Sequence, residues 1–417
     1  MRVTYLDLRP RTVHFAGMIK HLAAGAFTAA LVILTALSNA SAYADTMTVK
    51  IGVLRRTHSN ETLSILDLPA ADDALAGAEL GATDNNTTGK FTGQKFEVID
   101  EKLTDSDDVA AATDRLAEQG VALLIADLSA ERLLVAAERA KVHSALVFNA
   151  SATDDMLREE NCRANVFHVA PTRSMLADGL AQYLVWKQWR RWLLIKGSHK
   201  EDELFAQAIR SGAKKFGAKI VEERVYTDTG GGRRSDSGSV QTQRQMPAST
   251  QNAPAYDVLV AADESQVFAA YLPYRTWDPR PVAGSAGLMP LSWDASHEQW
   301  GAVQLQNRFI HDFHRPMNAR DNGAWLAMRM IGEAATRTNS NDPAKLRAYL
   351  VSPEFSIAAF KGVRLTLRPW NLQLRQPILL GDGRMIVSAS PQEGFLHQRS
   401  ELDTLGLDEP ETKCRLQ

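Results

Sequence analysis

Val49-Lys50-Ile51-Gly52-Val53-Leu54 reads as a short, mostly apolar strand, and further strands read at Lys95-Phe96-Glu97-Val98-Ile99, Val121-Ala122-Leu123-Leu124-Ile125 and Ala145-Leu146-Val147-Phe148. Between them the apolar period lengthens to that of a helix. Pro69 opens a stretch in which Ala70, Ala71, Ala74, Leu75, Ala78 and Leu80 share one face, closed by a turn over Gly89 to Gly93. Asp105 or Ser106 suits the cap of a second helix ending at Gln119-Gly120, and Ser129 that of a third running through Ala140. Short apolar strands alternating with amphipathic helices predict a parallel sheet covered on both faces.

Outward from this block the pattern repeats. A helix over Ser174–Lys187 precedes a strand Trp192-Leu193-Leu194-Ile195, and a helix over Asp202–Phe216 precedes strands at Ala218–Val225 and Asp257-Val258-Leu259-Val260-Ala261. Two successive sets of about 120 residues predict an α/β protein of two doubly wound parallel-sheet lobes. Residues 227–255 hold Gly230-Gly231-Gly232 and many Ser, Thr and Gln without apolar periodicity, and are expected as a flexible surface insertion. The glycine triplet lacks the Gly-Lys-Ser/Thr ending of a phosphate loop. Later come helices at Asp321–Thr336 and Pro343–Leu350. A hairpin then joins Ile378-Leu379-Leu380 to Met385-Ile386-Val387 through Gly381-Asp382-Gly383.

The first 44 residues read as an export leader. Lys20 and His21 precede an apolar run from Leu22 to Leu37, followed by Ala42-Tyr43-Ala44 before Asp45, the small-residue pattern of a cleavage site. The run is short for a membrane span, and Met18 offers an alternative start. The formal net charge of the whole chain is -2. Removing Arg2, Arg9, Arg11, Lys20 and Asp7 with the leader would take it to about -5, which suits a soluble exported protein and argues against nucleic acid as a partner. The two cysteines, Cys162 and Cys414, would meet an oxidising compartment, where a pair tends to join; two free thiols are the alternative.

Ligands of open α/β sheets lie beyond the carboxyl ends of the strands, at helix N-termini. Two loops there carry hydroxyls: Asp127-Leu128-Ser129, and Phe148-Asn149-Ala150-Ser151-Ala152-Thr153 ahead of a short helix near Asp154. Ser129, Ser151 and Thr153, with unsatisfied helix N–H groups, could cradle a carboxylate; equally, Ser129 and Thr153 could serve only as helix caps. Trp277-Asp278-Pro279-Arg280-Pro281 holds an arginine between two prolines, so Arg280 could fork onto a carboxylate while Trp277 or Trp293 stacks on a flat ligand; Arg308 follows closely. Nothing resembles an enzyme's machinery. Gly284-Ser285-Ala286-Gly287 is not a nucleophile elbow, His311 and His314 lack a metal motif, and Asp105, Asp107 and Asp108 lack the remainder of a calcium loop.

At Lys50-Ile51-Gly52-Val53, Gly77-Ala78-Glu79-Leu80-Gly81-Ala82 and Phe148-Asn149-Ala150-Ser151-Ala152-Thr153 the chain resembles the leucine/isoleucine/valine-type periplasmic binding proteins, the type I fold of ABC-importer receptors. The resemblance implies three crossings between lobes and a hinge that closes on a ligand. It divides the chain into residues 45–170 plus 286–350 as lobe 1, residues 171–285 plus 351–393 as lobe 2, and a tail at 394–417. By position Ser129, Ser151 and Thr153 match the loops that hold the ligand's carboxylate. Two departures stand out. His199-Lys200-Glu201-Asp202-Glu203-Leu204-Phe205 replaces the family's Tyr-Gly after the second-lobe strand, and Asp100-Glu101 replaces Asp-Asp.

A narrower resemblance, to the branch associated with PQQ-dependent alcohol dehydrogenase systems, rests on Thr276-Trp277-Asp278-Pro279-Arg280-Pro281-Val282-Ala283-Gly284, Gln304-Leu305-Gln306-Asn307-Arg308-Phe309, Gln376-Pro377-Ile378-Leu379 and Leu402-Asp403-Thr404-Leu405-Gly406 with Cys414. It implies a role beside periplasmic alcohol oxidation. The expectation is a monomeric, non-enzymatic periplasmic receptor that needs no cofactor and serves ABC permease subunits, with PQQ a candidate ligand for Arg280, Arg308 and the tryptophans. A sensor or accessory protein that binds a dehydrogenase or receptor is the alternative.

Overall fold

Strand Leu123–Asp127 is buried at every residue, as is strand Val258–Ala262, which is what a strand with helices on both faces requires. Around each of these a parallel sheet has formed. The computed structural model describes residues 46–57, 68–228 and 236–416, so the expected leader and the Gly230–Gly232 triplet lie outside the described residues.

The first lobe holds β1 (Met47–Arg56), α1 (Leu75–Thr92), β2 (Gln94–Leu103), α2 (Val109–Glu118), β3 (Leu123–Asp127), α3 (Ala130–Val142), β4 (Leu146–Asn149) and β5 (Val166–His168). Its five strands are all parallel, in the order β2-β1-β3-β4-β5. The second lobe continues with α4 (Arg173–Trp186), β6 (Arg191–Lys196), α5 (Lys200–Phe216), β7 (Lys219–Val225), α6 (Asp236–Thr250), β8 (Val258–Ala262), one-turn α7 (Leu272–Arg275) and β9 (Val282–Gly284). Its sheet is parallel in the order β7-β6-β8-β9. A core lies on either face of each sheet.

The chain crosses between lobes three times. It passes over after β5, returns between β10 (Met289–Leu291) and α8 (Ala302–Phe313), and crosses again between β13 (Leu374–Arg375) and β14 (Ile378–Gly381). Between the last two crossings lie α9 (Ala319–Thr338), α10 (Pro343–Leu350), β11 (Ile357–Ala358) and β12 (Arg364–Leu367). The α1 and α9 helices meet so closely that a Cβ on Gly77 would stand 1.9 Å from the Asp321 carbonyl oxygen. The expected hairpin is present, as β14 paired antiparallel with β15 (Ile386–Ser390).

Three expectations are corrected. Residues 351–375, read as second lobe, belong with the first: Leu365, Leu367, Leu372 and Leu374 share a core with β1 and α9. Residues 286–291, read as first lobe, belong with the second through β10–β14 pairing and the packing of Leu288. Within the insertion at 227–255, residues 236–250 form a helix despite Pro247. Tertiary contacts hold it: Met246 is buried, the Trp277 amide donates to Thr250 Oγ1 at 2.7 Å, and Arg224 Nη1 donates to the carbonyls of Ser249 and Gln251.

The tail is an anchor that touches both lobes. Asp403 accepts from the buried first-lobe residues Arg368 and Arg375, each Nε at 2.8 Å. Leu405 sits in the second-lobe core, and Gly406 binds Asp178 of α4 and Lys215 of α5. Cys414 then forms a disulfide with Cys162, as the export reading expected. Among the described residues no helix is long and apolar enough to cross a membrane.

Candidate functional site

The carboxyl ends of both parallel sheets open onto one cavity of about 1050 Å³. First-lobe loops bring Ala150, Ser151 and Thr153 after β4, and residues 68–70 and Asp73 between β1 and α1. The second lobe brings Asp263 and Gln266 after β8, and Ser285 after β9. Trp293 and Asp294, on the crossing after β10, and Arg315, Asn318 and Arg320, at the start of α9, complete the wall.

The Ser151–Thr153 loop is shaped by two buried side chains. Asn149 Oδ1 accepts from the amides of Ser151 and Ala152, and its Nδ2 donates to the Ala152 carbonyl at 2.8 Å. Arg158 donates to the carbonyls of Ala152 and Asp154, to Ala170 on the first crossing, and to Gln373 beside the third. Burial pushes its guanidinium down to about 10. Arg158 thus ties this loop to the first and third crossings. From behind, α9 lies flush against this loop, since a Cβ on Gly323 would meet the Ala150 carbonyl oxygen at 2.2 Å. Held this way, Ser151 and Thr153 are half-buried in the wall, and no side-chain hydrogen bond among the described residues engages either hydroxyl. The short helix behind them is capped at Asp154, so Thr153 is not its cap.

Ionic links join the lobes beside the cavity. The buried Arg173, at the start of α4, pairs with first-lobe Asp154 and second-lobe Glu264, both at 2.8 Å. Burial raises the Glu264 carboxyl, with the Arg173 charge opposing it. Lys200 of α5 reaches Glu131 of α3 at 3.2 Å, an exposed pair between the facing helix starts.

Not every residue expected at the site is there. Ser151, Thr153 and Trp293 line the cavity, although Trp293 is only 2% exposed and belongs mostly to the first-lobe core. Ser129 lies elsewhere and caps α3, its Oγ accepting from the Arg132 amide. Trp277, 59% exposed, and Arg280 also stand outside the wall. They precede β9, and in a parallel strand the residues before it lie at the end opposite the cavity, whereas Ser285, after β9, reaches it. Arg308 pairs with Asp84 of α1 and pins α8 to the first lobe. Sequence reasoning missed Asp73, Asn318 and Arg320. The available signal was the capping box Asn318–Asp321, in which Asn318 accepts from the amides of Arg320 and Asp321 and starts α9 earlier than apolar periodicity indicates.

Two wound sheets, three crossings and a shared cavity at the strand ends define a type I two-lobed binding-protein architecture. Residues 48–245 match the family described as periplasmic binding protein, and the fold is that of the type I periplasmic binding proteins. A search of curated proteins gave no match. Among solved structures, a periplasmic binding protein from Burkholderia mallei is 16% identical, with 88% of this chain and 99% of that chain covered at a TM-score of 0.65. A branched-chain amino acid ABC transporter periplasmic ligand-binding protein from Burkholderia xenovorans is 18% identical, covering 82% and 95% at 0.64. An ABC transporter solute-binding protein from R. palustris in complex with benzoate is 13% identical, covering 88% and 100% at 0.62. At these identities the likeness is one of fold.

Proposed function

We propose that this protein is the periplasmic receptor of an ABC importer, closing its lobes on a small organic ligand that bears a carboxylate. The observation that carries this reading is the pair of hydroxyls, Ser151 and Thr153, unengaged among the described residues, on a braced loop in the wall of a cavity shared by both lobes. The B. xenovorans neighbour, described as a branched-chain amino acid ABC transporter periplasmic ligand-binding protein, and the R. palustris neighbour, described in complex with benzoate, support an acid as ligand. Residues 1–44 would be the leader that delivers the chain to the periplasm. The receptor would act as a monomer, without cofactor or turnover, and hand its ligand to permease subunits. PQQ belongs among the acids to be tried, but Arg280, Arg308 and Trp277, the residues that suggested it, lie outside the cavity wall.

The test is calorimetric titration of the mature protein with branched-chain amino acids, benzoate, PQQ, and short alcohols and aldehydes. One acid should bind and raise the melting temperature. Ser151→Ala with Thr153→Val should weaken that acid about tenfold or more. Binding of an alcohol alone, or of an acid whose affinity the double variant leaves unchanged, contradicts the reading. Co-purification with a dehydrogenase and none with permease subunits would favour the accessory role.

A further inference from the structure

The cavity wall holds two arginines, and their partners differ. Arg315 is committed. Its Nε donates to Asp72 at 2.9 Å, Nη1 to Asp321 at 2.6 Å and to the Pro316 carbonyl, and Nη2 to Asp321 at 3.0 Å. Arg320 makes one side-chain hydrogen bond, Nη1 to Asp73 Oδ2 at 3.1 Å, and its Nε stands 4.0 Å from Asp127. A guanidinium carries five N–H donors, so most of those of Arg320 stay available. The Arg320 side chain is 31% exposed, while Asp73 and Asp127 are 3% and 1% exposed. The guanidinium is therefore the most exposed charged group of this cluster, and it shares the cavity wall with the more buried Asp73.

Among the described residues, the carboxylates lining the cavity are engaged. Asp73 accepts from Asn318 and Arg320. Asp263 accepts from the amides of Val267, Phe268 and Ala269. Asp294 accepts from Ser296. Glu264, beside the cavity, is paired with Arg173. Among the described residues, a ligand ammonium would have to compete with a bond already made at each of these. The remaining wall is largely apolar, with Leu176, Ala269, Pro290, Leu291 and Met317 among its residues.

We propose that Arg320, backed by Asp73, is the fork that receives the ligand's carboxylate, and that the ligand class is organic acids with an apolar body and no α-amino group. The inference rests on the receptor reading. Asp73 and Asp127 act as positioning residues. They hold the guanidinium in place in the cavity wall, so that little side-chain freedom is lost on binding.

The test is isothermal titration calorimetry of the full mature chain with two matched pairs: benzoate against benzamide, and 4-methylpentanoate against leucine. The acids should bind, and 4-methylpentanoate should exceed leucine. R320Q should weaken the acids about tenfold or more, and R320K should retain part of the affinity. R320Q removes a charge beside buried Asp73, so D73N/R320Q is the second variant, with circular dichroism confirming the fold. Acid affinity unchanged in a folded variant, or leucine tighter than 4-methylpentanoate, overturns the proposal. If leucine binds as well as its partner and R320Q changes nothing, the receptor reading survives and Arg320 does not; if benzamide binds as well as benzoate, the carboxylate reading falls with it. If none of the four binds, the proposal falls, and the receptor reading falls with it only if the wider panel of acids also fails.

Discussion

Lys361 is the most informative residue to replace, because its charge is buried without a carboxylate. It lies between β11 and β12, and its Nζ donates to Gln376 Oε1 at 2.5 Å. Gln376 in turn donates to the Val169 carbonyl at 2.6 Å, so this lysine touches the bracing of two crossings. Burial pushes its ammonium from the ordinary 10.5 down to about 7. That displacement corresponds to about 5 kcal/mol between the charged and neutral forms. Between pH 7 and 10.5 the unfolded chain keeps a proton that the folded chain has lost, so this group makes stability rise with pH across that window. At pH 7, where the folded group is half protonated, the lysine destabilises the fold by about 4 kcal/mol relative to high pH. Lys361→Met removes that penalty but orphans Gln376 Oε1, which costs about 1–3 kcal/mol. The net gain expected at pH 7 is therefore about 1–3 kcal/mol. Urea unfolding of both proteins at pH 7, 8 and 9 measures it. The advantage of the variant should shrink by about 1.4 kcal/mol per pH unit and then reverse. A difference that stays constant over that range would refute the reasoning.

Burial likewise raises the Asp178 carboxyl from 3.8 to about 6, with Lys215 opposing. Here the folded chain holds the extra proton, so this group's contribution to stability falls as pH rises from about 4 to 6; Asp178→Asn should flatten that fall in a urea series from pH 4 to 7, and an unchanged slope argues against it. Cys162→Ser with Cys414→Ser opens a bridge across a sequence separation of 252 residues. It should lower stability by about 3–5 kcal/mol without changing the far-ultraviolet spectrum, and an unaltered urea midpoint would contradict that. Lys200→Glu would set like charges opposite Glu131 between the two lobes. It should weaken ligand binding about threefold at low salt and little at 0.5 M, as surface pairs do, and a salt-independent loss would point to another cause.

The sheets were legible because β1, β3, β6 and β8 each contain an unbroken apolar run, such as Ile51–Leu54 in β1 and Trp192–Ile195 in β6, which a strand buried on both faces needs. The lobe boundaries were less so. β11 and β13 have two residues each, and their place is fixed by distant partners in the core, not by any local pattern. Helix α6 has no apolar face and exists through Met246 and Thr250. Within the site, Ser151 and Thr153 were readable from their position after a strand. Trp277 and Arg280 misled for want of the strand's direction: β9 is only three residues, and which side of it faces the cavity depends on its pairing with β8. Arg320 carried no signal in the sequence, because its partners Asp73 and Asp127 lie far away along the chain.

The most direct measurement is a crystal structure of the mature protein grown with the acid that binds it best. The ligand's carboxylate should sit between the lobes, within hydrogen-bonding reach of Ser151, Thr153 and the Arg320 guanidinium. Density for that acid outside the interlobe cavity, or with its carboxylate turned away from the β4 loop, would contradict the account.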